Sequence, residues 1–498
     1  MDSLLGLMNG FKIALTLSNL FYCFVGVFIG TLIGVLPGIG PTGAMAMLFP
    51  VTFAMSPVSA IIMLAGIYYG AMYGGSTTSI LVNIPGESAS VVTCLDGYQM
   101  ARQGRAGPAL GISAFGSFIA GTFGVILLVF FVLPLSKVAL KFGPPEYFSL
   151  LSASLILLTY LVRGSVFKAI VMALFGLILS TVGLDMIEGT GRLTFGLAFL
   201  EDGIGLVPLA MGLFGISEVL SNLELSMDRT IFKAKIKNLL PNRQDWKRSA
   251  GPIARGSILG FFLGLIPGGG GVIASFISYA LEKKLSKHPE SFGRGAIEGV
   301  AGPESANNSG AAGSFVPLLA LGIPTNVVMA LLLGGYMIHG VTPGPLLISK
   351  SPDLFWGVIS SMYIGNVMLL VLNLPLIGIW VKILKVPYPI LMPLILFFCL
   401  IGSYSLNNNI LDVIVMIIFG IVGYILRKFD YEPAPFLLAF ILGPMLETNL
   451  RQSLIMSDGS FYIFLKRPIS AVALIIMALL LISTGFSYYK KAKIKITE

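Results

Sequence analysis

Residues 109–135 run without a charged side chain, and comparable apolar stretches recur at 166–184, 354–380 and 468–487. A helix rises about 1.5 Å per residue, so roughly 20 apolar residues cross the ~30 Å hydrocarbon core of a bilayer. Several such stretches cannot all be buried in the core of one soluble domain. Only 11% of the residues are charged, against roughly 25% in soluble domains. The stretches are continuously apolar rather than alternating, which speaks against a β-barrel. The sequence therefore predicts an all-α polytopic membrane protein with about 11–13 hydrophobic segments.

The formal net charge of +9 does not point to nucleic acid, because the basic residues gather in loops. Eight lie between Arg229 and Arg255: Arg229, Lys233, Lys235, Lys237, Arg243, Lys247, Arg248 and Arg255. Lys490, Lys491, Lys493 and Lys495 close the chain. Cytoplasmic loops are enriched in this way, which places both stretches inside the cell. Cys23, Cys94 and Cys399 are far apart and form neither a metal nor a disulfide pattern. No Walker motif, zinc-type histidine pattern or nucleophile elbow is present, so neither ATP-driven transport nor an enzyme is expected. No cofactor is expected, apart from Na+ as a candidate coupling ion.

An internal duplication sharpens the picture. Gly30-Thr31-Leu32-Ile33-Gly34-Val35-Leu36-Pro37-Gly38-Ile39-Gly40 returns 230 residues later as Gly260-Phe261-Phe262-Leu263-Gly264-Leu265-Ile266-Pro267-Gly268-Gly269-Gly270. Each copy is followed by a small, polar-rich helical segment ending in Ile-Pro, at Ile84-Pro85 and Ile323-Pro324. Gly97-Tyr98 and Gly335-Tyr336 then follow at a similar remove. Proline followed by consecutive glycines does not sustain a helix. About eleven residues flank the break in 256–281, half the length needed to span. Arg255 before it and Lys283, Lys284 and Lys287 after it suggest entry and exit on one face. A re-entrant helical hairpin is expected, the alternative being one spanning helix kinked at the glycines. Five spans are expected between the motifs, near 58–82, 109–135, 146–162, 166–184 and 203–222. An odd number inverts the second repeat relative to the first. The division expected is a first transmembrane repeat over 1–222, a basic cytoplasmic linker over 223–255, a second repeat over 256–488 and a basic cytoplasmic tail over 489–498.

Broken helices leave free N–H groups that attract carboxylates and free C=O groups that accept sodium. Oxygen-bearing side chains cluster beside both breaks. The substrate-binding residues expected are Gly38, Gly40, Thr42, Thr77 and Asn83 in the first repeat, with Gly268, Gly269, Gly270, Asn307, Asn308, Thr325 and Asn326 in the second. Thr78 and Ser305 are candidate sodium ligands. Glu87, Asp96, Glu298 and Glu304 are the ionisable residues within these segments, although any of them could sit in an interfacial loop.

Gly30–Gly43, Tyr69–Glu87, Pro303–Asn308, Leu321–Asn326 and Gly340–Pro345 together resemble the large membrane subunit of tripartite tricarboxylate transporters, the TctA family. The resemblance covers about residues 15–450. Pro324-Thr325-Asn326 departs from the pattern, in which a glycine commonly follows the proline. The resemblance implies a multi-pass protein of the bacterial cytoplasmic (inner) membrane with an elevator-like transport cycle. It also implies a small four-helix membrane subunit and an extracytoplasmic solute-binding protein as partners. The implied cargo is citrate or another small carboxylate, driven by sodium or protons. A stand-alone anion/sodium symporter and a passive anion channel are the alternatives.

Overall fold

The computed structural model describes residues 3–36, 40–161, 165–185, 187–224, 239–384, 386 and 388–497, and of 388, 389 and 484–497 the backbone alone. Helix α1 (Ser3–Ala14) precedes a run of eight helices: α2 (Leu17–Val35), α3 (Gly40–Thr52), α4 (Pro57–Val82), α5 (Val91–Arg102), α6 (Ala106–Ala139), α7 (Pro144–Leu161), α8 (Val166–Leu179) and α9 (Leu206–Glu224). A second run follows in the same order: α10 (Arg243–Gly264), α11 (Gly271–Leu285), α12 (Glu298–Leu321), α13 (Val327–Ile338), α14 (Pro352–Asn373), α15 (Tyr388–Asn407), α16 (Ile410–Lys428) and α17 (Pro433–Ile455). Helix α18 (Pro468–Thr497) ends the chain. Among the described residues eight helices are long and apolar enough to cross a membrane, and three shorter ones are apolar. The chain is a multi-pass helical membrane protein.

Four of the five spans expected between the motifs match α4, α6, α7 and α9 closely. The segment expected over 166–184 ends as helix α8 at Leu179. There Gly183–Leu184 pairs antiparallel with Gly191–Arg192. Asp185 anchors this small hairpin by accepting the backbone N–H groups of Ile187 and Glu188 and by pairing with Arg192 and Arg451. Those N–H groups, and behind them the two guanidinium groups, hold its carboxyl below the usual carboxylate range. Helix α10 already begins at Arg243, capped by Asn242 and Asp245, so regular structure starts inside the interval read as linker. The basic residues at 229, 233, 235 and 237 lie outside the described residues.

Glycines decide how each run packs. Gly26, Gly30 and Gly34 on α2 lie against the carbonyl oxygens of Met63, Ile67 and Ala71 on α4, where any Cβ would collide. The same ridge recurs 230 positions on, where Gly256, Gly260 and Gly264 on α10 lie against the carbonyls of Gly302, Ala306 and Gly310 on α12. Small residues at four-residue spacing let two backbones approach closely, which favours helix contact inside a bilayer. Residue numbers rise together along both contacts, so α2 runs parallel to α4 and α10 parallel to α12. Where α4 meets α12 the numbers run oppositely. Tyr68 stacks near Phe315 with ring centroids 6.4 Å apart, and Ser76 donates to Glu304 at 2.5 Å.

The second break is a hairpin. Arg255, midway along α10, donates to Glu282 in the last turn of α11, Nε to Oε1 at 2.9 Å, and both arms pack on α12. The chain turns back at 265–270, where the Gly269 N–H donates to the Ile266 carbonyl at 2.9 Å. The outgoing arm is longer than its apolar part, because a charged amphipathic stretch from Arg243 precedes it. In the first run α2 and α3 also pack against each other and both against α4. Residues 37–39, between them, lie outside the described residues.

Candidate functional site

Helices α4 and α12 both stop on a residue in the left-handed region, Asn83 (φ 61°) and Gly322 (φ 70°). Asparagine and glycine tolerate that conformation best, and it is a common way to end a helix. Five-residue segments follow in register: Asn83-Ile84-Pro85-Gly86-Glu87 and Gly322-Ile323-Pro324-Thr325-Asn326. Each ends on a residue whose side chain caps the next helical turn. Glu87 Oε2 accepts the Ala89 N–H at 2.6 Å, and Asn326 Oδ1 accepts the Met329 N–H at 2.9 Å. Each segment folds back onto the helix pair that opens its own run, α2 with α3 or α10 with α11. A Cβ at Gly86 would fall on the Gly34 carbonyl, and the Thr325 carbonyl accepts the Gly268 N–H at 2.7 Å.

These parts converge on one cleft of about 1300 Å³. Gly40 and Thr42 reach it from the start of α3, Gly268, Gly270 and Gly271 from the second hairpin, and Glu87 and Asn326 from the two cap positions. Tyr68 forms part of the wall, its hydroxyl accepting from Asn326 Nδ2 at 3.3 Å. The two runs thus meet through side chains as well as through the cavity. At the far end, Lys168, Glu218, Glu224, Arg427 and Lys428 line the mouth, where Arg427 pairs with Glu218 and Lys428 with Glu224.

Behind the cleft is a buried polar layer. Glu304, 1% exposed, accepts the hydroxyls of Ser76 and Thr93, one from each flanking helix of the first run. Asn307 Nδ2 lies 3.3 Å from Glu87 Oε1. Among the described residues, neither Glu87 nor Glu304 forms an ion pair with a basic side chain. A buried carboxylate without a counter-charge costs several kcal/mol unless it is protonated or joined by a cation.

Of the residues expected to bind substrate, Gly40, Thr42, Gly268, Gly270 and Asn326 line the cleft. Gly38 lies outside the described residues. Gly269 turns away, and a Cβ there would fall on the Leu263 carbonyl. Thr77 is buried and does not line the cleft, and Asn83 ends α4. Asn308 donates to Ser117 Oγ at 2.7 Å and to the Glu304 carbonyl at 3.0 Å, away from the cavity. Thr325 contributes its carbonyl to the hairpin tip, while its hydroxyl is buried without a partner. Asn307 sits directly behind Gly271, with Oδ1 buried and unpartnered. The two candidate sodium ligands are not brought together as a site: Thr78 donates to the Val35 carbonyl at 2.7 Å, and Ser305 faces Gly116 on α6. Asp96, buried on α5, and Glu298, the first residue of α12, bind neighbouring backbone and a basic side chain rather than lining the cleft. Asp96 Oδ1 accepts the N–H groups of Gly293, Gly295 and Ala296, and Glu298 pairs with Arg248 at 2.7 Å.

Sequence reasoning passed over Tyr68 and left Glu87 without a role. The cap positions were accessible from the aligned five-residue segments, since both end where a new helix begins. Tyr68 gave no such signal, because an aromatic residue in an apolar helix reads as core.

Closely packed helices that stop at matched Ile-Pro segments around a polar cleft are what a membrane transport protein needs. The family model for the tripartite tricarboxylate transporter TctA family matches residues 20–438. The chain belongs to that family, whose members are components of tripartite transporters. It is 54% identical over 486 residues to a protein of Agrobacterium vitis described as an uncharacterized 52.8 kDa protein in the TAR-I ttuC' 3' region, covering 96% of this chain and 97% of that one. A second protein of Agrobacterium vitis, described as an uncharacterized protein in the TAR-II ttuC' 3' region, is 57% identical over 212 residues, 43% of this chain and 88% of its own length. No solved structure matches the chain.

Proposed function

We propose that this chain is the transport subunit of a gradient-driven importer that takes a small di- or tricarboxylate from a solute-binding protein. The observation that carries the reading is the shared cleft, to which each run contributes residues of its opening helix pair and the cap residue after its Ile-Pro segment. Free N–H groups at the start of α11 and α13 present positive dipole ends to an anion, and glycine keeps side chains out of its way. The cytoplasmic assignment of the basic stretch after Glu224 gives the cleft a side: its mouth at Glu218, Glu224, Arg427 and Lys428 opens inward. With α2 parallel to α4, α10 parallel to α12, and α4 opposed to α12, the two runs read as inverted repeats. Movement of the hairpins with α4 and α12 as one body would carry the cleft between the two faces, an elevator-like cycle. A small membrane subunit and an extracytoplasmic binding protein complete the system, in the cytoplasmic membrane of a bacterium.

The test is uptake of labelled di- and tricarboxylates into proteoliposomes holding this chain and its membrane partner, with and without binding protein. Accumulation against a gradient that needs the binding protein is expected. Uptake by this chain alone would make it a self-sufficient symporter, and purely downhill flux would make it a channel.

A further inference from the structure

An anion entering this cleft meets the wrong charge. Five acidic and three basic side chains line it, and two of the bases are already paired with acids at the mouth. At the level of the hairpin tips the one charged side chain on the wall is Glu87, which no basic residue approaches within ion-pairing distance among the described residues. Its ordinary structural task, capping the turn at Ser88–Ser90, occupies Oε2 alone. Oε1 accepts a long hydrogen bond from Asn307 Nδ2 at 3.3 Å, and a half-turn of that amide presents Oδ1 to it instead.

Asn307 supplies an independent sign of a missing ligand. It is 1% exposed, yet its Oδ1 has no hydrogen-bond partner. That oxygen occupies the space beside Gly271, a residue of the cleft wall, where a side chain would otherwise stand. A buried amide oxygen without a partner costs about 1–3 kcal/mol. A carboxylate oxygen and an unpartnered amide oxygen beside an open cleft are the donors that a hard monovalent cation takes, with water or the solute's own carboxylate completing its shell and the cation holding the carboxylate ionised.

We propose that Glu87 and Asn307 form a sodium site at the inner wall of the cleft, and that sodium bound there bridges Glu87 to a carboxylate of the transported solute. This rests on the reading of the cleft as a transport site. It replaces the hydroxyls of Thr78 and Ser305 as the coupling-ion ligands. It also explains how a carboxylate carrier tolerates an acidic residue beside its anion: the solute binds well only after the cation has neutralised Glu87.

Sodium binding can be measured without any solute. The purified full-length chain is unfolded thermally in sodium chloride and in N-methyl-D-glucamine chloride at equal ionic strength. A sodium-dependent rise in midpoint is expected for the native chain. Glu87→Gln keeps the size and the capping oxygen but should weaken sodium at least about tenfold, the lower end of what losing even an outer-shell partner of a metal costs. Asn307→Ala should weaken it similarly, whereas Asn307→Asp should restore it. No sodium response in the native chain, or an unchanged response in both Glu87→Gln and Asn307→Ala, would overturn the site. Should Glu87→Gln fail to fold, the Asn307→Ala and Asn307→Asp pair decides alone. A sodium response that obeys these variants while no carboxylate is transported would sink the carboxylate reading and leave the cation site standing.

Discussion

The segments Asn83–Glu87 and Gly322–Asn326 occupy the same place in their runs and do the same mechanical work, yet they carry different chemistry. Each begins in the left-handed region, turns through Ile-Pro, leans on the helix pair that opens its run and ends by capping a helix at the cleft. One cap is a carboxylate and the other an amide. Gly86 is pressed against the Gly34 carbonyl and has no room for a side chain, whereas at Thr325 the backbone carbonyl makes the contact with the tip. The two runs therefore repeat the same local frame, and the side chains they bring to the cleft differ.

The comparison can be broken most sharply at the glycine ridges. Gly30→Leu and Gly260→Leu each drive a side chain into the backbone of the partner helix. Each should cost at least about 3 kcal/mol, the upper range for overpacking, and yield little monodisperse protein in detergent. Equal damage supports an equivalent frame; a tolerated change in one run would show that the two contacts are not equivalent. Gly268→Ala comes next. Gly268 has φ +76° and lies against Leu161, so alanine should cost about 1–2 kcal/mol and loosen the seat on Thr325. Transport should fall further than the unfolding midpoint suggests.

Asn326→Ala removes the cap of α13 at a cost of about 1 kcal/mol and should raise the apparent KM for the solute, read in proteoliposome uptake. The smallest effect is expected at Asn83. Asn83→Gly copies the second run and should leave stability and uptake within a few tenths of a kcal/mol, while Asn83→Ala should cost about 1 kcal/mol. Lost transport in a stable Asn83→Gly protein would restore Asn83 as a ligand.

Much of the frame was legible from composition and repetition. The apolar lengths located α4, α6, α7 and α9, and the Pro-Gly breaks located the second hairpin, because bilayer thickness and backbone satisfaction leave few alternatives. The ridge extends one step further than the repeated motif suggested, to Gly26 and Gly256. Helix α5 was not anticipated, since its polar sequence, from Val91 to Arg102, has no apolar face of spanning length. The site was legible only in part. Gly40, Gly268 and Gly270 line the cleft and Gly269 does not, and of the oxygen-bearing side chains singled out as ligands only Thr42 and Asn326 line it. Thr78 and Asn308 are consumed by hydrogen bonds to neighbouring helices, a role that local sequence cannot tell from ligand binding because it depends on which helix lies alongside.

The account stands or falls on both runs meeting at one cleft that the solute occupies. With Cys23, Cys94 and Cys399 replaced, single cysteines at Thr42 and at Val327, one from each run and both on the cleft wall, can be labelled in membranes with an impermeant maleimide. Both should react from the cytoplasmic side, and the transported carboxylate with sodium should slow both reactions together. Protection of only one position, or access to the two from opposite faces in the same state, would contradict a shared site.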